Sequence, residues 1–215
     1  MAHLLHIDSS IQGDASTSRR LTARARDRWL AANPVGTVTY RDLGANPIPH
    51  FDSAGGAARH VALSEHTEAQ SASWRLGLEL AAEVEAADVL LLGMPLYNFA
   101  APSSVKAWVD HLIIPDVTFS MTTGRGLLGG RELIVISARG GGFGPGTPKE
   151  GWDHASAWLG YGLSMTGLEP RFIFADLRWA GLVPATEGLE PVRDASMAAA
   201  EAEIDGLWTT MRMAA

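Results

Sequence analysis

Short apolar segments alternate with longer, amphipathic segments along the chain. The most constraining is Val89 to Gly93, a run of five residues without a polar side chain. A run of this length predicts a strand that is buried on both faces of a sheet. Four further strands are predicted, at Leu4–Asp8, Thr37–Asp42, Glu132–Ser137 and Arg171–Ala175. Each strand is followed by a helix pattern, at residues 18–32, 64–86, 102–114, 152–166 and 191–211.

The order of these segments, strand then helix five times over, predicts the fold class. Such alternation is typical of an α/β fold with a doubly wound, five-stranded parallel sheet and helices on both faces. The 215 residues contain no internal repeat and no second core pattern, so we expect one domain over residues 1–215. The stretch Leu43–Leu63 carries prolines and a Gly-Gly pair, and it is predicted to be a long surface connection.

Composition excludes several classes of function. Seventeen Lys and Arg against 24 Asp and Glu give a net charge of −7, spread along the chain, so neither nucleic acid nor an anionic membrane is an expected partner. The absence of cysteine excludes disulfides, thiolate nucleophiles and cysteine-bound zinc or iron–sulfur clusters. The seven histidines show no metal-ligand spacing, so no metal site is expected.

The apolar stretch near the amino terminus is short: it runs from His3 to Ile7 and ends at Asp8. This length is insufficient for the apolar region of a signal peptide or for a membrane span. We therefore expect a cytoplasmic protein.

The loop after the first strand is rich in hydroxyl side chains. In a doubly wound sheet, ligands bind at the carboxyl ends of the strands, so the loops at that edge are informative. Free N–H groups and the positive end of the helix dipole favour a phosphate at the start of the following helix. An N-cap in a polar loop is the simpler alternative, although five hydroxyls exceed what one cap needs. The five are Ser9, Ser10, Ser16, Thr17 and Ser18.

This hydroxyl-rich loop is not one of the common nucleotide motifs. It lacks the glycines of the Gly-x-Gly-x-x-Gly dinucleotide turn and the Gly-Lys-Ser/Thr ending of a Walker A loop. The segment Gly124–Gly129 does match the dinucleotide pattern in its letters. Because it precedes a strand instead of joining a strand to a helix, it is predicted to be a hairpin turn.

Two further loops at the same edge carry unusual residues. After the third strand, Tyr97 and Phe99 flank Asn98, an arrangement that suits a flat heteroaromatic ring. Aromatic side chains that simply cover the end of the sheet are an equal alternative. After the fourth strand, Arg139–Gly144 contains four glycines, which let the backbone approach a ligand closely. The alternative for that loop is a flexible connection.

A set of short segments, taken in chain order, carries a family resemblance. The segments are Ser9-Ser10, Ser16-Thr17-Ser18, Arg41-Asp42-Leu43, Ala45–Pro49, Met94–Phe99, Val117–Phe119 and Ser137–Gly141. Together they resemble the FMN-dependent azoreductases, also described as NADH:quinone oxidoreductases, which have a flavodoxin-like fold. The resemblance spans nearly the whole chain, so the combination is specific although each piece is short.

The resemblance implies a bound FMN. It assigns the phosphate to Ser10, Ser16, Thr17 and Ser18, the isoalloxazine ring to Leu96, Tyr97, Asn98 and Phe99, and the border of the site to Ala138, Arg139, Gly140 and Gly141. Phe99 and Phe119 are the expected apolar walls of the acceptor pocket. Two positions depart from the family pattern: Ala138 stands where serine is common, and Gly142-Phe143 stands where relatives often carry histidine.

The implied function is two-electron transfer in a ping-pong cycle, from NADH or NADPH through FMN to a quinone or azo compound. No catalytic residue beyond the flavin is expected, and reductases of this fold form homodimers with the site at the subunit interface. The choice of tryptophan that completes the pocket stays open among Trp108, Trp152, Trp158 and Trp179.

Three alternatives to this function remain. A flavodoxin-type electron carrier is disfavoured by the moderate net charge and the length of the chain, and the same length favours FMN over the FAD of the related quinone reductases. The third alternative is a binding protein that keeps the scaffold without a flavin.

Overall fold

Five parallel strands form one sheet in the computed structural model, which describes residues 1–209. The strands are β1 (His3–Asp8), β2 (Thr37–Asp42), β3 (Val89–Gly93), β4 (Glu132–Ala138) and β5 (Pro170–Ala175). Their order across the sheet is β2-β1-β3-β4-β5, and every neighbouring pair is parallel. The predicted doubly wound α/β fold is therefore confirmed.

Position in the sheet explains the sequence of each strand. The central strand β3 is buried at all five positions, because helices cover both of its faces. The edge strand β2 is exposed or half-buried at all six positions, which is why Thr37–Asp42 is polar and only loosely alternating.

Helices cover both faces of the sheet, as predicted. Within residues 1–209 they are α1 (Thr17–Ala32), α2 (Ser53–Ala58), α3 (Glu68–Ala86), α4 (Ser103–Leu112), α5 (His154–Ser164) and α6 (Glu190–Gly206). Trp29 of α1 and Ile204 of α6 belong to the core on one face. Leu80 of α3, Trp108 of α4 and Leu159 of α5 belong to the core on the other. None of these helices is long and apolar enough to cross a membrane.

Local capping sets helix boundaries that the hydrophobic pattern placed a few residues away. Helix α3 begins at Glu68 and not at residue 64, because the side chains of Thr67 and Gln70 form a capping box with each other's backbone N–H groups. Helix α5 begins at His154 because the Asp153 carboxylate caps it. Helix α6 ends at Gly206, and the predicted end at Met211 lies outside the described residues.

The prediction of a long surface connection over Leu43–Leu63 is wrong in part, although most of its residues are exposed or half-buried. This stretch contains α2, whose start is capped by the Asp52 carboxylate. Leu43 and Ile48, the latter between Pro47 and Pro49, are buried in the core. By contrast, the hairpin predicted around Gly124–Gly129 is confirmed, because Phe119 and Gly126 pair in an antiparallel bridge.

Candidate functional site

The loop between β1 and α1 ends in a capped helix start. The Ser16 hydroxyl accepts a hydrogen bond from the Arg19 backbone N–H at 3.3 Å and lies 3.1 Å from the Ser18 hydroxyl. The remaining N–H groups of the first turn of α1 have no acceptor within the helix. These N–H groups, the hydroxyls and the positive helix end together favour an anion at this position.

The side chain of Arg19 fixes the position of the same loop. The Arg19 guanidinium donates to the Ser10 carbonyl at 2.7 Å and to both carboxylate oxygens of Asp42 at 2.6 and 2.7 Å. The hydrogen bond from Arg19 lowers the pKa of Asp42 to about 2. The glycine at position 44 allows this close packing, because a Cβ there would collide with the Ser10 carbonyl.

The loop after β3 contains a strained two-residue turn. Tyr97 and Ala100 exchange both of their backbone hydrogen bonds, at 2.9 and 3.0 Å, and Asn98 and Phe99 between them have φ angles of 49° and 66°. Positive φ at both central positions defines a primed hairpin turn, which is easy for asparagine and costly for phenylalanine. The Tyr97 hydroxyl lies 3.3 Å from the Ser10 hydroxyl, so this turn is tied to the first loop.

The loops after β4 and β5 are joined by backbone hydrogen bonds. The N–H groups of Arg178 and Trp179 donate to the carbonyls of Arg139 and Gly140 at 3.0 and 3.2 Å. A Cβ at Gly140 would meet the Trp179 ring at 2.8 Å, so the glycine at this position is explained by the tryptophan packed against it.

Residues of these four loops line one open cleft. Seven of the residues assigned to FMN from the sequence line it: Ser16, Thr17, Ser18, Leu96, Tyr97, Ala138 and Gly140. Four residues without that assignment also line it: Gln12, Pro95, Arg178 and Trp179. Trp179 was one of four open choices for the acceptor pocket, whereas the sequence analysis missed Arg178.

Arg139 does not present its side chain to this cleft. Its guanidinium donates to both carboxylate oxygens of Asp176 at 2.6 and 2.7 Å and to Asp153 at 2.8 Å. It also lies 3.8 Å over the Phe174 ring. Burial favours a higher pKa for Asp153, but hydrogen bonds from Ser156 and Arg139 outweigh it and leave the pKa lowered. The described geometry therefore gives Arg139 a structural role.

Neither Phe99 nor Phe119 lines the cleft. Phe99 packs edge-to-face against Trp152 at 5.3 Å and against Phe143 at 6.2 Å between ring centroids. Phe119 lies in the hairpin, paired with Gly126. The remaining assigned residues, Ser10, Asn98 and Gly141, do not line the cleft, and the Ser10 hydroxyl contacts the Tyr97 hydroxyl.

The donor set of the cleft fits FMN. Neutral hydroxyls, helix N–H groups and the Arg178 cation meet at one end, where a phosphate would lie. Leu96, Tyr97 and Trp179 of the same lining provide apolar and aromatic surface for a flat ring.

Comparison with known proteins decides the family. A family model described as a flavodoxin-like fold matches residues 2–205. A relative from Frankia alni named FMN-dependent NADH:quinone oxidoreductase is 40% identical over 205 residues, which are 95% of this chain and 97% of the relative. One of the same name from Streptomyces avermitilis is 41% identical over 93% of this chain and 92% of the relative. The chain belongs to the flavodoxin-like FMN-dependent NADH:quinone oxidoreductase family.

Solved structures support the fold of this reductase family. An azoreductase from Bacillus anthracis matches 98% of this chain and 100% of its own with a TM-score of 0.85 at 18% identity. An FMN-dependent NADH-azoreductase from the same species, in complex with FMN, matches 96% of this chain and 100% of its own with a TM-score of 0.79 at 21% identity. At these identities the likeness shows the fold alone. The family resemblance inferred from the sequence is confirmed.

Proposed function

We propose that this protein is an FMN-dependent NADH:quinone oxidoreductase that also reduces azo compounds. One observation carries the proposal: the phosphate-binding features after β1 and the aromatic and glycine loops after β3 and β4 line a single cleft. Family membership supports the same reading, because the relatives at 40% identity carry this name. We further infer that residues 1–215 form a single flavin-binding domain.

The residues of the chain bind and orient the cofactor. FMN, when bound, would supply the two-electron redox chemistry that links NADH or NADPH to the acceptor. Ser16, Thr17 and Ser18, with the N–H groups of α1, would hold the phosphate. Leu96 and Tyr97 would hold the ring against the backbone of the β4 loop, and Ser10 would act through its contact with Tyr97.

Substrates would approach beside the aromatic cluster of Phe99, Phe143 and Trp152. Phe99 and Trp152 are partly exposed, at 37% and 49%. Donor and acceptor would use this opening in turn, because the sequence contains no separate dinucleotide fingerprint. That arrangement is the physical basis of a ping-pong cycle.

We infer that the enzyme is a cytoplasmic homodimer. Tyr161 of α5 and Met121 of the hairpin are 79% and 63% exposed, and large apolar side chains of this kind suit a subunit interface. Phe119 would then complete the acceptor pocket of the opposite subunit. Light scattering during size-exclusion chromatography tests the dimer, and cell fractionation tests the location.

The absorbance spectrum of the purified protein tests the function. The protein is incubated with FMN, desalted, and treated with NADH without oxygen. A retained flavin band that bleaches with NADH and returns with one equivalent of quinone supports the reductase. Retained flavin that ignores both NADH and NADPH indicates an electron carrier, selective retention of FAD indicates the related quinone reductases, and no retained flavin overturns the proposal.

A further inference from the structure

Arg178 lines the phosphate end of the cleft, and no carboxylate of residues 1–209 lies within ion-pair distance of it. Its Nε donates to the Thr17 hydroxyl at 3.0 Å, at the first residue of α1. Within residues 1–209 its guanidinium forms no ion pair, whereas the neighbouring Arg139 and Arg193 both pair with aspartates. Its two terminal nitrogens donate to no residue in the same range, so they are available to a ligand.

The backbone holds Arg178 in this position. Leu177 has a φ of 58°, a costly conformation for leucine, and its N–H donates to the Gly141 carbonyl at 3.2 Å. The Arg178 N–H donates to the Arg139 carbonyl at 3.0 Å. The loop after β5 is therefore fixed to the loop after β4, and it presents the arginine across the cleft to α1.

The surroundings of Arg178 favour an anion. Burial lowers the pKa of the guanidinium, and the nearby positive charges of Arg20 and Arg193 lower it further, against a smaller opposite effect of the Asp194 carboxylate. The positive end of α1 adds to this potential. An anion held by the two terminal nitrogens of Arg178 would offset this repulsion.

We propose that Arg178 binds the cofactor phosphate and thereby makes the protein select FMN over riboflavin, which lacks the phosphate. The inference rests on the proposed function and adds a residue to its site. Serine and threonine hydroxyls are neutral donors, whereas an arginine adds charge and a planar pair of N–H groups that matches phosphate oxygens. The alternative is that Arg178 only fixes Thr17 and the start of α1.

Flavin affinities separate these two roles. The dissociation constants of FMN and riboflavin are measured by quenching of flavin fluorescence for the wild type, Arg178→Ala and Arg178→Lys. The control is Arg171→Ala, which removes an arginine near the opposite end of β5 that is 54% exposed and paired with Glu203. We expect Arg178→Ala to weaken FMN binding by about 10- to 100-fold, the usual effect of losing a charged hydrogen bond. Riboflavin binding should change by less than about twofold.

The lysine variant and the control test whether the charge of Arg178 is responsible for the effect. Arg178→Lys should bind FMN more tightly than Arg178→Ala does, because lysine keeps the positive charge, and less tightly than the wild type, because it lacks the planar pair of N–H groups. Arg171→Ala should leave the ratio of the two affinities unchanged. If Arg178→Ala weakens the binding of FMN and riboflavin equally, or weakens neither, the inference is overturned while the proposed function stands. A wild type that binds no FMN overturns both.

Discussion

Arg19 and Asp42 form a two-pronged ion pair beneath the hydroxyl-rich loop, while the same guanidinium holds the Ser10 carbonyl. Both side chains are 16% exposed, so the pair is largely shielded from solvent. Asp42 lies at the carboxyl end of β2, opposite Asp8 of β1. The position of the phosphate loop therefore depends on a charge pair supplied by the neighbouring strand.

Asp42→Asn is expected to destabilise the FMN-free protein in a pH-dependent way. A pKa of about 2 against the ordinary 3.8 corresponds to about 2 kcal/mol of stability at neutral pH. Because the folded pKa is the lower one, this contribution is complete above the unfolded pKa and is lost as pH falls through the folded pKa. The stability difference between wild type and variant should be about 2 kcal/mol at pH 7 and roughly half that at pH 3. Urea unfolding at both pH values measures it.

Asparagine is a suitable replacement because it keeps the oxygen that accepts from the N–H groups of Gly44 and Ala45 at 2.9 Å. Asp27→Asn serves as the control, since the Asp27 carboxylate is 65% exposed and pairs only with the adjacent Arg26 among the described residues. A difference between wild type and Asp42→Asn that stays constant with pH would contradict the assigned role of the pair.

The double variant Ser16→Ala/Ser18→Ala should bind FMN more weakly. Ser16 is the N-cap of α1, so its loss costs the FMN-free protein about 1 kcal/mol. Loss of two hydroxyls to the phosphate should weaken FMN binding by roughly 10-fold or more. Thermal unfolding with and without excess FMN, together with fluorescence titration, measures both effects. Ser164→Ala is the matched control, because its hydroxyl donates to the exposed Tyr161 carbonyl. Unchanged FMN affinity in the double variant would show that the loop after β1 does not bind the phosphate.

The sequence was sufficient to predict the sheet because β3 is buried on both faces and therefore uniformly apolar. It also indicated the loops after β1, β3 and β4, since the carboxyl ends of parallel strands share one edge. The partner of Arg19 was not predictable in this way, because Asp42 reaches it only through the pairing of β1 with β2. The position of Arg178 in the cleft was not predicted, although its loop follows β5, which ends at the same edge of the sheet.

The roles of Arg139 and Phe119 depended on tertiary packing. An arginine before glycines suggests a ligand contact, but the aspartates that engage it come from two other loops. Phe119 lies in a hairpin whose position relative to the sheet is set by contacts far along the chain, such as the hydrogen bond from Leu128 to Thr166 at 2.8 Å. Residue type and spacing carry no information of this kind.

Arg139→Met should destabilise the protein strongly. The guanidinium is 7% exposed and bridges Asp153 and Asp176, so its removal leaves two carboxylates without their cation. Breaking such a pair costs about 3 kcal/mol or more. Arg139→Lys should lose less stability than Arg139→Met, because the positive charge remains while the paired hydrogen bonds to Asp176 do not. Urea unfolding of the FMN-free proteins gives the comparison, and equal stability of wild type and Arg139→Met would exclude the structural role.

Gly140→Ala should displace the Trp179 ring, because the added methyl would lie 2.8 Å from it. Overpacking of this kind costs about 1–3 kcal/mol. Gly144→Ala is the control, since a Cβ there meets open space, and it should be neutral or slightly stabilising. The double variant Gly140→Ala/Trp179→Ala should recover most of the loss, because the colliding ring is gone. Urea unfolding measures all four proteins, and a Gly140→Ala protein as stable as Gly144→Ala would show that Trp179 does not require the glycine.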